Sequence, residues 1–183
     1  MSGHNKWSKI KHKKGASDAK RSKIFSKHAR LIAVESKKAG GTKSAPGLRA
    51  AIERAKGDLM PNENIDRAIQ KGIGGVDEVM EEMLYETFGP AGTAILVSTL
   101  TDNKNRTSQE LRHLLSKAGS ALGAPGSSLW AFTKKENYFI PINPLSLSDE
   151  EGEKLAVLIE AIEEHDDVQD VYTSADEASP LSQ

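Results

Sequence analysis

The chain has 183 residues, 37% of them hydrophobic and 28% charged, and no cysteine. That composition is ordinary for a folded protein, and it excludes disulfides, thiolate metal sites and a cysteine nucleophile. No apolar run approaches the roughly 20 residues needed to cross a bilayer and no secretory h-region opens the chain, so a cytoplasmic protein without membrane partners is expected. The formal charge of −1 conceals an asymmetry. As far as Lys56 there are 16 Lys/Arg against three acidic residues, a net +13, so the remainder carries −14.

Residues 1–17 interleave Lys and His with Trp7, Ile10 and Gly15 without a sustained period, which predicts a flexible basic arm. Asp18 is placed to cap a helix running to about Ala39, with Ile24, Phe25, His28, Leu31 and Ile32 on one side and cations on the other, stopped by Gly40-Gly41. Pro46 to Lys56 reads as a second helix on the spacing of Leu48, Ala51, Ile52 and Ala55. Asn62 can cap a third that buries Ile65, Ala68 and Ile69 before Gly72 stops it. The three helices make a small bundle over residues 18–75. The Gly-rich, then acidic, stretch from Gly72 to Glu82 reads as a linker.

Past Met83 the period changes. Leu84–Phe88 and Thr93–Leu100 read as strands joined by a turn at Gly89-Pro90-Ala91-Gly92. Thr107 with Glu110 forms a capping-box pattern before a helix with Leu111, Leu114, Leu115 and Ala118 on its apolar face. Ser128–Phe132 and Tyr138–Ile142 read as strands. A second capping box, Ser148 with Glu151, precedes Leu155, Leu158, Ile159 and Ile162 at helical spacing, and Val168–Tyr172 closes as a strand. Setting the first short strand aside, the order is β-α-β-β-α-β. The expected fold is therefore α+β: a three-helix bundle with a basic arm, then a ferredoxin-like lobe over residues 83–175 and a frayed tail over 176–183. The edge strand at Leu84–Phe88 offers a place for a second copy to pair, although oligomeric state is not otherwise indicated.

These residues resemble a known family. Gly3-His4-Asn5-Lys6-Trp7-Ser8-Lys9-Ile10-Lys11-His12-Lys13-Lys14, Asp18 to Lys27, Asn64 to Gly72, Tyr85 with Gly89 to Gly92, Leu100 to Thr107 and Asp166 to Tyr172 match, in order, the YebC/PmpR family. The resemblance implies a DNA-binding transcriptional regulator. It also admits a ribosome-associated translation factor, because the family includes a mitochondrial translational activator of cytochrome c oxidase. Family members usually carry a further α/β lobe between the strands that here end near Phe132 and begin near Tyr138. This chain has only Thr133-Lys134-Lys135-Glu136-Asn137 there, a length at which the two strands can be joined by a tight turn.

The first thirty residues hold ten cations against Asp18 alone, a density that points to a polyanion. Lys6, Lys9, Lys11, Lys13, Lys14, Lys20, Arg21, Lys23 and Lys27 are the expected phosphate contacts, with Trp7 stacking on a base or anchoring the arm. Lys104 and Arg106, between a strand and a helix N-terminus, are expected as secondary contacts, while Asp102, Asn103 and Thr107 are accounted for by turn and cap. The expected partners are DNA or ribosomal RNA, and with it the ribosome. His4, His12, His28, His113 and His165 show no ligand spacing, and Gly72-Ile73-Gly74-Gly75 lacks the Lys-Ser/Thr of a phosphate-binding loop. The acidic stretch at Glu163, Glu164, Asp166, Asp167 and Asp170 reads as solvated. No catalytic residue, metal or cofactor is expected.

Overall fold

The computed structural model describes residues 18–74, 80–135 and 138–176. They fall into two compact units, a helical one within residues 15–81 and an α/β one from Glu82 on.

The helical unit consists of α1 (Asp18–Ala39), α2 (Pro46–Gly57) and α3 (Asn62–Ile73). Its core is Ile32, Leu48, Ala51, Ala55, Met60, Ile65, Ala68 and Ile69, the apolar positions that recur at helical spacing. At the end of α1, Gly40 and Gly41 have φ of 56° and 79°, and the Gly41 N–H returns to the Ser36 carbonyl at 2.9 Å. The same reversal ends α2, where the Met60 N–H reaches the Ala55 carbonyl at 3.0 Å, but there the left-handed residue is Leu59, with φ of 62°. A left-handed conformation costs a side-chain-bearing residue about 1–2 kcal/mol, and Leu59, 82% exposed, recovers nothing by packing. Leu59→Gly is therefore expected to stabilise the helical unit by about 0.5–1 kcal/mol, read as a higher urea midpoint at unchanged m-value.

Two expectations for this unit need correction. Asn62 does not cap α3 but is its first residue. The cap position belongs to Pro61, whose carbonyl accepts from Asn64 and Ile65. Gly72 does not stop α3 either, since it lies inside the helix and Gly74 follows as the C-cap. A Cβ built on Gly72 would stand 2.3 Å from the Ala33 carbonyl oxygen, so this glycine lets α3 approach the backbone of α1. Close by, the Ser36 hydroxyl donates to the Ile69 carbonyl at 2.8 Å.

The α/β unit contains β1 (Glu81–Phe88), β2 (Ala94–Thr101), α4 (Lys104–Lys117), β3 (Phe132–Lys135), β4 (Tyr138–Pro141), α5 (Asp149–Glu163) and β5 (Val168–Thr173). The α+β class and the element order agree with the sequence reading. The strands pair as a three-stranded sheet in the order β1-β2-β5 and a separate β3-β4 ribbon, so β1, set aside in the ferredoxin-like reading, is a full member of the main sheet. β2 and β5 are antiparallel. Successive β2 side chains explain the layering. Ile95 and Val97 join Leu111, Leu115, Leu155, Leu158, Ile159 and Ile162 on the helix side. Ala94 and Leu96 meet Phe132, Tyr172 and the partly buried Tyr138 and Phe139 on the other. Phe139 and Tyr172 are edge to face with ring centroids 5.3 Å apart. A strand covered on both faces reads as a continuous apolar run, as Ala94–Val97 does.

Ser128–Phe132, expected as a strand, is a 3-10 turn at Leu129–Ala131 that feeds β3 from Phe132. The cause is Glu86 of β1, 5% exposed. Its carboxylate accepts the backbone N–H groups of Gly126, Ser128 and Leu129 at 2.5, 2.6 and 2.7 Å, turning them away from any strand partner. The Ser148–Glu151 capping box forms as expected and opens α5. Ala175 is 3% exposed and bridges Leu145, and Asp176, expected to fray, donates its N–H to the Leu145 carbonyl at 2.8 Å. The remainder of the expected tail, from residue 177 on, lies outside the described residues.

Candidate nucleic-acid interface

The two units carry opposite charge. Residues 18–74 hold 13 Lys/Arg against six Asp/Glu, whereas residues 80–176 hold seven against 17. A polyanion is therefore attracted by the helical unit and repelled by the α/β unit. Of the expected phosphate contacts, Lys20, Arg21, Lys23 and Lys27 lie on α1, with Lys20 and Arg21 exposed and Lys23 and Lys27 half-buried. Lys6, Trp7, Lys9, Lys11, Lys13 and Lys14 lie outside the described residues. His28, expected at a helix face, is 6% exposed with its Nε2 2.6 Å from Asp58 Oδ2, which ties α1 to the end of α2.

Between α1 and α3 runs a groove of about 710 Å³. From α1 it receives Arg21, Phe25, Ala29 and Ala33, four residues apart and so on one face, together with Arg30. From α3 come Asn64, Arg67, Ala68 and Lys71, again one helical face, and Met60 and Met80 also line it. None of the described lining residues is acidic. Arg67 is held along its wall, donating to Asn64 Oδ1 at 2.8 Å and to the Glu63 carbonyl at 3.4 Å. Of the expected contacts on α1, only Arg21 faces this groove. Phe25, Arg30, Arg67 and Lys71 are absent from the expected set, although Arg67 and Lys71 belong to the Asn64–Gly72 block and their i, i+4 spacing puts them on one face.

The Thr101–Thr107 loop is arranged differently from its expected form. Asn103, not Thr107, caps α4, its side-chain oxygen accepting the Arg106 N–H at 3.1 Å. Thr107 is buried in the helix, its hydroxyl 2.7 Å from both Thr101 Oγ1 and Asp167 Oδ2. Arg106, expected at a phosphate, faces carboxylates instead: Asp167 at 2.8 Å, Asp102 at 2.9 Å and Glu110 at 3.8 Å. Asp167, expected to be solvated, is 4% exposed. Burial alone pushes its carboxyl up, but the Thr107 hydroxyl and the Arg106 guanidinium outweigh that and hold it below the usual carboxylate range.

Glu110, His165 and Asp167 bring their ligand atoms within 4.8 Å of one another. The Asp167 N–H donates to His165 Nδ1 at 3.1 Å, which leaves the ring proton on Nε2, 2.9 Å from Glu110. Both imidazole nitrogens are thus engaged and the Arg106 guanidinium already pairs with both carboxylates, so the geometry is that of an ion-pair network.

Comparison with known proteins bears on the whole chain. Residues 5–75 match the TACO1/YebC protein N-terminal domain, and residues 80–138 and 134–175 match the TACO1/YebC second and third domain. The chain belongs to the TACO1/YebC family. A relative from Trichlorobacter lovleyi, described as a probable transcriptional regulatory protein, is 54% identical over 137 residues, covering 74% of this chain and 56% of its own. The chain thus spans little more than half the length of that relative. Another so described, from Thermosipho melanesiensis, is 38% identical over 237 aligned positions, covering 96% of this chain and 94% of its own. Those positions outnumber the residues of this chain, so that family member carries residues with no counterpart here. The two stretches matched to the second and third domain meet at β3-β4, where the sequence reading places the absent lobe. A solved structure of the family fold, a conserved hypothetical protein of Aquifex aeolicus, superposes with a TM-score of 0.78 at 31% identity, covering 95% of this chain and 98% of that one.

Proposed function

We propose that this chain is a nucleic-acid-binding regulator of gene expression that acts at DNA, a reading supported by relatives described as probable transcriptional regulatory proteins. The observation that carries this reading is the segregation of charge, +7 over residues 18–74 preceded in sequence by five more lysines, against −10 over residues 80–176. The phosphate contacts are assigned to Lys6, Lys9, Lys11, Lys13, Lys14, Lys20, Arg21, Lys23 and Lys27, with Trp7 among the bases and Lys104 as a secondary contact, while Arg106 orders the loop of α4. Phosphate contacts set affinity and leave sequence choice open. A second reading, a factor whose arm enters ribosomal RNA, is favoured by the arm itself, whose lysines have no helical period on which a recognition face for the major groove could be laid.

The test is a salt titration of binding to random duplex DNA and to structured ribosomal RNA, for the intact chain and for Lys11→Gln/Lys13→Gln/Lys14→Gln. Each phosphate contact contributes about −0.9 to the slope of log affinity against log salt on duplex, so the triple variant is expected to flatten it by about 2.7. Preference for DNA supports the regulator, and preference for ribosomal RNA that disappears in the variant supports the ribosomal factor. An intact chain that binds neither at low salt overturns both.

A further inference from the structure

The groove between α1 and α3 combines two chemistries that phosphate contact alone does not need together. Its rim carries Arg21, Arg30, Arg67 and Lys71, and its floor is apolar, with Phe25 on α1 and Met60 beneath. We propose that it receives an unpaired nucleotide of a single-stranded segment, the base on the Phe25 floor and the flanking phosphates on Arg21, Arg67 and Lys71. The inference rests on the nucleic-acid reading above and narrows it to a strand with exposed bases.

Charge selects the occupant first. A groove with four cations and no described carboxylate in its lining takes an anion and repels the chain's own arm, which has five lysines and no acidic residue over positions 1–17. The floor then selects among anions. Free phosphate, or the backbone of a duplex, offers nothing to Phe25, Met60 and Ala68, whereas an unstacked base presents a π-face that aromatic and thioether side chains cover. Size agrees, because about 710 Å³ lies in the roughly 300–1,000 Å³ range of small-ligand sites. Arg67, braced by Asn64 and the Glu63 carbonyl, is already extended along its wall, so little side-chain freedom is lost when a phosphate arrives.

The experiment uses the full chain and a short fluorescein-labelled oligouridylate, with the same strand annealed to its complement as the duplex control. Arg67→Gln/Lys71→Gln, both exposed positions outside the core, is expected to weaken single-strand binding about tenfold at low salt and to flatten the salt slope by about 1.4, with less than about a threefold change on duplex. Phe25→Leu should weaken single-strand binding about five- to tenfold at unchanged slope, and Phe25→Tyr should restore it. Equal losses on both probes, or no loss with either groove variant while the arm variant weakens binding, overturn the groove inference and leave the nucleic-acid reading standing. Failure of the intact chain to bind any probe overturns that reading first. Displacement of the oligouridylate by an acidic helical peptide at lower concentration than by unlabelled strand also overturns the inference. Far-UV circular dichroism and the urea midpoint confirm that each variant is folded.

Discussion

Glu86→Ala is expected to destabilise the α/β unit by about 3–5 kcal/mol, enough to unfold much of it at moderate temperature. The carboxylate accepts three backbone N–H groups of the Gly126–Leu129 loop and shares the Ser128 hydroxyl, 3.3 Å away, with the Ile95 carbonyl at 3.0 Å. Removing the acceptor strands these donors in a site that is 5% exposed. Glu86→Gln should cost about 2–3 kcal/mol, because the amide places its own N–H groups among donors and loses the charge. Trp130 reports on the loop directly, its indole N–H bonded to the Ser127 carbonyl at 2.7 Å, so its emission in a Trp7→Phe background should shift at lower urea in both variants. The pH dependence follows from the same contacts. Burial raises the Glu86 carboxyl, but the four donors more than reverse it, so its folded value lies below the usual range, as does that of Asp167. A depressed carboxyl gives stability that is full above its unfolded value, about 4, and is lost as pH falls through the lower folded value. The wild-type chain should therefore lose stability on acidification below about pH 4, and the gap to Glu86→Gln should close over the same interval.

Gly72→Ala should destabilise the helical unit by about 2–3 kcal/mol, although alanine is the better helix former by about 1 kcal/mol. The added methyl would meet the Ala33 carbonyl oxygen at 2.3 Å and Ser36 Cβ at 2.7 Å, and the first of these is backbone that cannot rotate away. α1 and α3 must part, and the Ser36–Ile69 hydrogen bond lengthens with them. Gly57→Ala is the control. It lies in α2 with nothing within 4 Å of the added atom, and it should be neutral or slightly stabilising. Urea midpoints by far-UV circular dichroism separate the two, and an unchanged midpoint for Gly72→Ala would show that the helices tolerate a wider spacing.

What was legible in the sequence was what the chain settles locally. The helical spacing of Leu48, Ala51 and Ala55, the glycine pair after Ala39 and the Ser148–Glu151 box each act within one or two turns, and each placed its element to within a residue or two. Misreadings arose where a distant partner decides. Thr107 and Glu110 have the spacing of a capping box, yet Thr107 turns inward to Asp167 and Glu110 is drawn to His165, leaving Asn103 to cap α4. Ser128–Phe132 has strand-like residues, but Glu86, some forty positions earlier, claims its N–H groups. Gly72 looks like a stop until Ala33 is seen beside it. The candidate site divides the same way. Charge density is a property of composition and was readable, whereas a groove that needs Phe25 and Arg67 on facing helices is a property of packing.

The β3-β4 ribbon carries a last consequence. Lys135 is paired with Tyr138, so two residues join the strands, and the chain leaves and re-enters the unit at neighbouring points. Cα atoms of such a pair stand only about 5 Å apart, and the ladder from Phe132–Pro141 to Lys135–Tyr138 fixes them there regardless of what lies beyond. The ribbon is thus a socket. Any folded module whose own ends lie side by side can be spliced at residues 136–137 without loosening the sheet beneath, and excised again with only a turn to rebuild. Lineages of this architecture can therefore lengthen or shorten by a whole module in one step, and an engineer can use the same junction to mount a reporter on the chain.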